Sequence, residues 1–268
     1  MKYEKISGVP DFESYELLPK QSDHCLMIPV LNEKGRIEVE LERAIKNHVD
    51  EFCDIIILDG GSTDEGVNLD NLNRLGVNTL LVKTGAGKQG AQLRMGFYYA
   101  KKRGYIGFIT VDGNNKDSIE KAPSFVEKLN DGYDFIQGSR YLPDGGAENT
   151  PFIRNIAVRI IHAPMISKAA KYKFTDTTNS FRGYSLKYIT HPDLDLFRDV
   201  FSGYELLAYM SVRAGQLGLK ITEIPVMRNY PPKGRAPTKI SPVRGSFDLL
   251  KILLKAVSGK YNPRDDEK

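Results

Sequence analysis

Apolar and polar positions alternate between two periods along the first half of the chain. Short apolar, mostly β-branched runs at residues 25–30, 54–59, 78–82, 108–111 and 133–138 read as buried strands. Between them, residues 38–49 place Val39, Leu41, Ile45 and Val49 at helical spacing, and residues 90–103 read as a helix interrupted by Gly96. Strands alternating with helices predict an α/β fold, a mostly parallel sheet with helices on both faces. The second half is less regular. Residues 152–172 are helical in pattern but studded with Arg154, Arg159, Lys168 and Lys171, and residues 174–184 are polar and turn-rich. A helix over 204–215, a strand over 219–226 and a last amphipathic helix over 247–257 complete the pattern, with a basic loop before that helix. Residues 1–23 lack periodicity and are expected to lie on the surface as an N-terminal extension.

Composition narrows the class without choosing a function. A chain of 268 residues with 41% hydrophobic and 27% charged positions can bury a core without staples. Its two cysteines, Cys25 and Cys53, each stand in or beside an apolar run and read as buried thiols of a reducing compartment. A net charge of +4 is too mild to imply a nucleic-acid partner. No run reaches the roughly 18 apolar residues of a membrane span, and the first twenty lack the apolar centre of a signal peptide. A cytoplasmic protein is expected.

The candidate chemistry sits where strands end. Residues 108–111 deliver Asp112 to the carboxyl end of a strand, where open α/β sheets bind ligands. Gly113 permits a sharp turn there, and Asn114, Asn115 and Asp117 crowd oxygen ligands around one point. The strand over 54–59 runs likewise into Asp59, Gly60, Gly61, Ser62, Thr63 and Asp64. Gly85, Ala86, Gly87 and Lys88 suit close approach to phosphate, but Lys83 and Gln89 stand where a P-loop needs glycine and Ser or Thr. A sugar nucleotidyltransferase would want a glycine-rich, arginine-containing loop after the first strand; Pro29, Val30, Leu31, Asn32 and Glu33 stand there instead.

Taken together and in order, these segments resemble the family 2 glycosyltransferases of the GT-A fold, within them the dolichol-phosphate mannosyltransferase-like branch. The resemblance runs from about residue 25 to about residue 241. It rests on the Pro29–Glu33 strand ending, the Asp59–Asp64 turn, Gly87-Lys88-Gln89-Gly90, and Asp112-Gly113-Asn114 in the place of the DxD motif. Gly138-Ser139-Arg140-Tyr141, Thr175-Asp176, Phe181-Arg182-Gly183-Tyr184 and Glu223-Ile224-Pro225-Val226 followed by Arg228 continue it. Two positions depart: the family usually has a second carboxylate at Asn114, and the branch often has glutamine at Lys116.

The resemblance implies a GT-A domain over residues 24–235, with a nucleotide-sugar half (24–145) and an acceptor half (146–235), then a basic loop, helix and tail (236–268). It implies a UDP- or GDP-sugar donor held by Pro29, Asn32, Glu33, Asp59, Gly61, Ser62, Lys88, Asp112, Gly113 and Asn114. It implies Mg²⁺ or Mn²⁺ on Asp112 and Asn114; with the two departures, either the metal is held more weakly, with Asp112 and donor phosphates dominating, or Lys116 supplies part of the positive charge itself. Arg140 and Arg154 correspond to arginines that hold an acceptor phosphate, while Asp176 or Glu205 would serve as base for a hydroxyl acceptor. The expected activity is inverting transfer to a polyprenyl phosphate or a cell-surface glycan, with a non-catalytic nucleotide-sugar-binding protein as the alternative. Peripheral contact with the inner membrane surface and homodimerisation stay open.

Overall fold

A computed structural model describes residues 6–149, 152–230 and 244–263, with the side chains of 152–154 and 244–246 left out. The basic loop expected before the last helix falls mostly at 231–243, outside the described residues. In chain order the elements are β1 (Phe12–Glu16), β2 (His24–Val30), α1 (Arg36–Lys46), β3 (Asp54–Asp59), α2 (Leu69–Arg74), β4 (Val77–Lys83), α3 (Gln89–Lys102) and β5 (Gly107–Thr110). There follow α4 (Ala122–Asn130), β6 (Phe135–Ser139), β7 (Gly146–Glu148), α5 (Phe152–Ala157), a π-helical turn (Val158–His162) and α6 (Ala163–Ala170). The chain closes with β8 (Arg182–Ser185), α7 (Leu186–Ile189), α8 (Glu205–Gln216), β9 (Ile221–Pro225), β10 (Met227–Asn229) and α9 (Arg244–Val257).

The main sheet runs β1-β4-β3-β2-β5-β8-β6-β9, and β10 pairs with β7 in a small parallel ribbon. Strands β4, β3, β2 and β5 are mutually parallel, as the alternation of strands and helices predicts. Period 2 along β2 and β3 explains the two cores. Cys25, Met27, Ile56 and Leu58 face one side, with α3, α6, α8 and α9; Leu26, Ile28, Ile55 and Ile57 face the other, against α1 and α2. All eight are fully buried, and each large aliphatic side chain contributes about 1.5–3 kcal/mol by leaving water.

Three elements differ from the expectations. The N-terminal segment is not purely a surface appendage, because β1 pairs antiparallel with β4 at the sheet edge. The polar stretch 174–184 ends in a central strand: β8 lies antiparallel between β5 and β6. Arg182 is 1% exposed there, and its guanidinium donates to the carbonyls of Thr177, Asn179 and Leu207, so a buried cation is satisfied without a carboxylate. The last helix begins at Arg244 rather than 247. Its inner row, Leu253 and Ala256, packs in the core, while Phe247, Leu250 and Leu254 on its outer row stay exposed.

Candidate functional site

Hydrogen bonds across the carboxyl ends of the parallel strands place the two sequence-predicted carboxylates. The Gly60 amide donates to the Val30 carbonyl at 2.9 Å, and the Gly113 amide to the Pro29 carbonyl at 3.3 Å. Asp59 and Asp112 therefore flank the end of β2, one strand to each side, about 10 Å apart by strand spacing. Gly113 is required at this crossing: a Cβ there would meet Val30 Cγ1 at 2.6 Å.

Asp59 closes its own turn. Its carboxylate accepts from the Gly61 amide (3.1 Å), the Ser62 amide (3.0 Å) and Ser62 Oγ (2.6 Å), and Gly61 has the left-handed φ of 93° that this turn needs. The loop after β2 is tied to it. The Asn32 amide donates to Ser62 Oγ at 2.9 Å, and Asn32 Oδ1 accepts from the Thr63 amide at 2.8 Å. Glu33 pairs with Arg36 at 2.5 Å. Pro29, Asn32, Glu33, Asp59, Gly61 and Ser62 are thus brought to one rim.

Asp112 is the centre of a charged cluster. Its Oδ1 accepts from Gln89 Nε2 at 2.9 Å and its Oδ2 from Arg228 Nη2 at 3.2 Å; Arg228 Nη1 also bonds Asp117. Burial pushes the Asp112 carboxyl up, but the Arg228 charge and the hydrogen bonds more than offset that, and it ends below the usual carboxylate value. Asn114 Nδ2 lies 3.5 Å from Asp112 Oδ2, and Asn115 takes a left-handed φ of 55°, its amide donating to buried Glu40 at 2.7 Å. Burial raises the Glu40 carboxyl well above its usual value. Lys88 precedes α3, exposed, while its amide donates to the Ser202 carbonyl at 2.9 Å.

The acceptor-side residues are arranged differently from the expectation. Arg140 and Asp176 form a buried pair: Arg140 Nε donates to Asp176 at 2.6 Å, Nη2 donates at 3.0 Å, and Nη2 also reaches Thr178 Oγ1 at 2.7 Å. The side chains are 2% and 0% exposed. Glu223 binds the Thr175 amide at 2.9 Å and the Asp176 amide at 3.2 Å, tying the same loop to β9. These two residues therefore hold the loop rather than present a free guanidinium and a free base. Glu205, at the start of α8, accepts from the Gly203 amide at 2.6 Å. Arg154 belongs to α5, and its side chain lies outside the described set. Arg159, in the π-helical turn, is exposed and stands 5.5 Å from the Tyr141 ring centre.

Gln89 and Arg228 join the cluster without having been singled out as binding residues. Their signal in sequence is their place in two segments that carry the resemblance, Gln89 in Gly87–Gly90 and Arg228 two residues past Val226. Among the described residues no three His, Cys, Asp or Glu side chains gather as a metal site. The fit for a hard divalent cation is nonetheless met by two protein oxygens. Asp112 keeps its charge, and the buried Oδ1 of Asn114 has no hydrogen-bond partner. One carboxylate and one amide oxygen suffice for Mg²⁺ or Mn²⁺ when donor phosphates complete the shell.

Residues 25–191 match the family Glycosyl transferase family 2. The undecaprenyl-phosphate mannosyltransferase of Micrococcus luteus is 27% identical over 211 residues, covering 75% of this chain and 81% of that one. The polyprenol monophosphomannose synthase of Mycolicibacterium smegmatis is 24% identical over 212 residues, covering 75% of each. In fold, the chain is similar to glucosyl-3-phosphoglycerate synthase from Mycobacterium tuberculosis solved with Mn²⁺ and UDP-glucose. There the TM-score is 0.61 at 15% identity, over 90% of this chain and 80% of that one. The sheet is thus of GT-A type, the Asp59 and Asp112 turns end its parallel strands, and the chain belongs to glycosyl transferase family 2, in the dolichol-phosphate mannosyltransferase-like branch.

Proposed function

We propose that this glycosyltransferase moves a sugar from a nucleotide-sugar donor to a polyprenyl phosphate, with inversion. The observation that carries the acceptor class is the state of the two expected bases. Asp176 is engaged by Arg140 and Glu205 by the Gly203 amide. A sugar hydroxyl would need a base poised to take its proton, whereas a phosphate acceptor is anionic at neutral pH. The polyprenyl-phosphate enzymes among the relatives support the same class.

In this reading the nucleoside lies along the rim from Asp59 to Asp112. Asp59, Ser62 and Asn32 form its base and ribose end, and Asp112 with its neighbours the diphosphate end. An acceptor phosphate oxygen attacks the anomeric carbon, the carbon–oxygen bond to the diphosphate breaks, and the nucleoside diphosphate leaves with the electron pair. A divalent ion held by Asp112 and Asn114 would stabilise that charge when bound. Lys88, ahead of α3, adds positive charge on the same side. Arg140 is committed to Asp176, and Arg159, exposed beside Tyr141, is a candidate to meet the acceptor phosphate together with the sequence candidate Arg154.

Incubation with UDP- and GDP-sugars and a polyprenyl phosphate in detergent is expected to give a lipid-linked sugar. Transfer to a neutral glycan and none to the lipid would overturn the acceptor class. Asp59→Ala should weaken nucleotide binding about tenfold or more with and without Mn²⁺, because the Gly61–Ser62 turn loses its acceptor. Unchanged affinity by calorimetry would remove Asp59 from the site.

A lipid-borne acceptor also calls for a surface that meets the bilayer. No helix is long and apolar enough to cross a membrane among the described residues. Phe247, Leu250 and Leu254 on α9, with Ile160 and Ile161 on the π-helical turn, are exposed, and Lys251 and Lys255 flank the α9 row. Basic and apolar side chains on one helix suit an anionic leaflet, at about 1 kcal/mol per lysine. Co-sedimentation with anionic vesicles at low salt is expected, and Leu250→Glu with Leu254→Glu should abolish it. An intact protein that stays in the supernatant at low salt would rule out surface attachment.

A further inference from the structure

The N-terminal segment reaches the loop that carries Lys88. β1 pairs with β4 as far as Phe12 and Lys83, and the contact continues past both strands. There the Asp11 carbonyl accepts from the Thr84 amide at 2.9 Å and from the Gly85 amide at 2.8 Å. A Cβ added at Gly85 would meet the Asp11 nitrogen at 2.7 Å, so the two backbones touch. Lys83 Nζ closes the turn on the Gly85 carbonyl at 2.7 Å. The loop then delivers Lys88 and Gln89, and Gln89 Nε2 bonds Asp112 at 2.9 Å. From the other side the Ser202 carbonyl accepts the Lys88 and Ala91 amides, at 2.9 and 3.2 Å.

Arg94, further along α3, joins these two supports. It is 2% exposed, and its guanidinium donates both to the Gly8 carbonyl and to Asp199, the latter at 2.9 Å. Gly8 has a left-handed φ of 75°, and a Cβ there would meet the Phe197 carbonyl oxygen at 1.8 Å. The rings of Phe12 and Phe197 each meet Tyr98 of α3 edge-on, at 6.5 and 6.3 Å. A loop with glycines at 85 and 87 has many conformations of its own, and a ligand binds only the fraction already competent. We infer that residues 8–16 are a clasp on the donor loop, and that Arg94, by locking the clasp to the 197–203 loop, is a positioning residue for Lys88 and Gln89. The inference rests on the nucleotide-sugar reading above and gives the N-terminal segment a part in donor binding from outside the rim.

Gly8→Ala and Arg94→Met in the full chain test it. Gly8→Ala drives the clasp off Phe197, and Arg94→Met removes the lock without strain at Gly8. Hydrogen exchange is expected to quicken at residues 84–91 in both variants and to stay as in the parent at residues 59–63. In transfer with the UDP- or GDP-sugar the parent uses, the donor KM should rise about fivefold or more, as when the competent fraction of the loop falls to about a fifth. The kcat and the acceptor KM should stay within about threefold. Arg94→Lys, which keeps a charged donor, should show a smaller rise than Arg94→Met. A merely structural role would lower kcat by reducing the folded fraction and leave the donor KM alone. A donor KM within about twofold of the parent in both variants would therefore overturn the inference and leave the donor reading intact. So would donor and acceptor KM values that rise together. A parent protein that neither binds UDP or GDP in calorimetry nor uses their sugars would overturn the donor reading and this inference together.

Discussion

Asp112→Asn should lower sugar transfer by about a hundredfold or more while leaving metal-free nucleotide affinity within about threefold. The substitution keeps the shape of the side chain and an oxygen for Gln89 to meet, but removes the charge. That charge faces Arg228 at 3.2 Å and accepts from Gln89, and it is the carboxylate that lies beside Asn114. The carboxyl sits below its usual value despite burial, so it is ionised throughout the neutral range and the variant removes a full charge. Transition-state charge on the departing diphosphate then loses its metal-borne share, whereas contacts at the Asp59 end of the rim persist. The expected signature is a fall in kcat, loss of the Mn²⁺-dependent part of binding, and retention of binding in EDTA. Steady-state transfer kinetics beside calorimetry read all three. A loss of transfer below about threefold would take Asp112 out of the chemistry, since even one misplaced stabilising group costs more.

Arg140→Met should cost about 3–5 kcal/mol of folding stability, because it leaves Asp176 buried without its partner. The pH dependence gives the variant a second, sharper signature. In the parent, burial pushes the Asp176 carboxyl up, but the Arg140 charge and hydrogen bonds bring it below the usual value. A depressed carboxyl contributes stability that is present above the ordinary carboxylate range and is lost as pH falls through the folded value. Without Arg140 the burial effect is unopposed and the Asp176 carboxyl rises. Stability is then present in acid and lost as pH rises through the new folded value, so the sign of the slope reverses. Urea denaturation at pH 5 and pH 7 should find the parent no less stable at pH 7, and the variant less stable there than at pH 5. Arg140→Met combined with Asp176→Leu should recover much of the loss, as apolar replacement of a buried pair commonly does. A single variant that loses less than about 1 kcal/mol would mean that the pair does not hold the loop.

Period and punctuation in the sequence were enough for the parallel half of the sheet. The β-branched run 54–59 and the apolar run 25–30 have no stable place outside a two-sided core, and both are buried from end to end apart from half-buried Pro29. The abrupt change to polar residues after each run also put Asp59 and Asp112 at strand ends, because parallel strands with helical crossovers must all end on the same edge. Those inferences needed only local chemistry and the handedness of the chain.

What lay beyond the sequence was every partner brought from far away. Arg228 is 116 residues from Asp112, and no local pattern states that its guanidinium bridges Asp112 and Asp117. Arg140 looked like a phosphate ligand until Asp176, 36 residues on, took its donors. The polar stretch before β8 hid a central strand because Arg182 is satisfied by carbonyls contributed from three separate positions, which only the folded chain assembles. Sequence thus determined which carboxylates reach the rim, since strand ends are a local property. Tertiary structure decided which of the surrounding charges pair with one another, since a buried charge takes the partner that is near in space, whatever their separation along the chain.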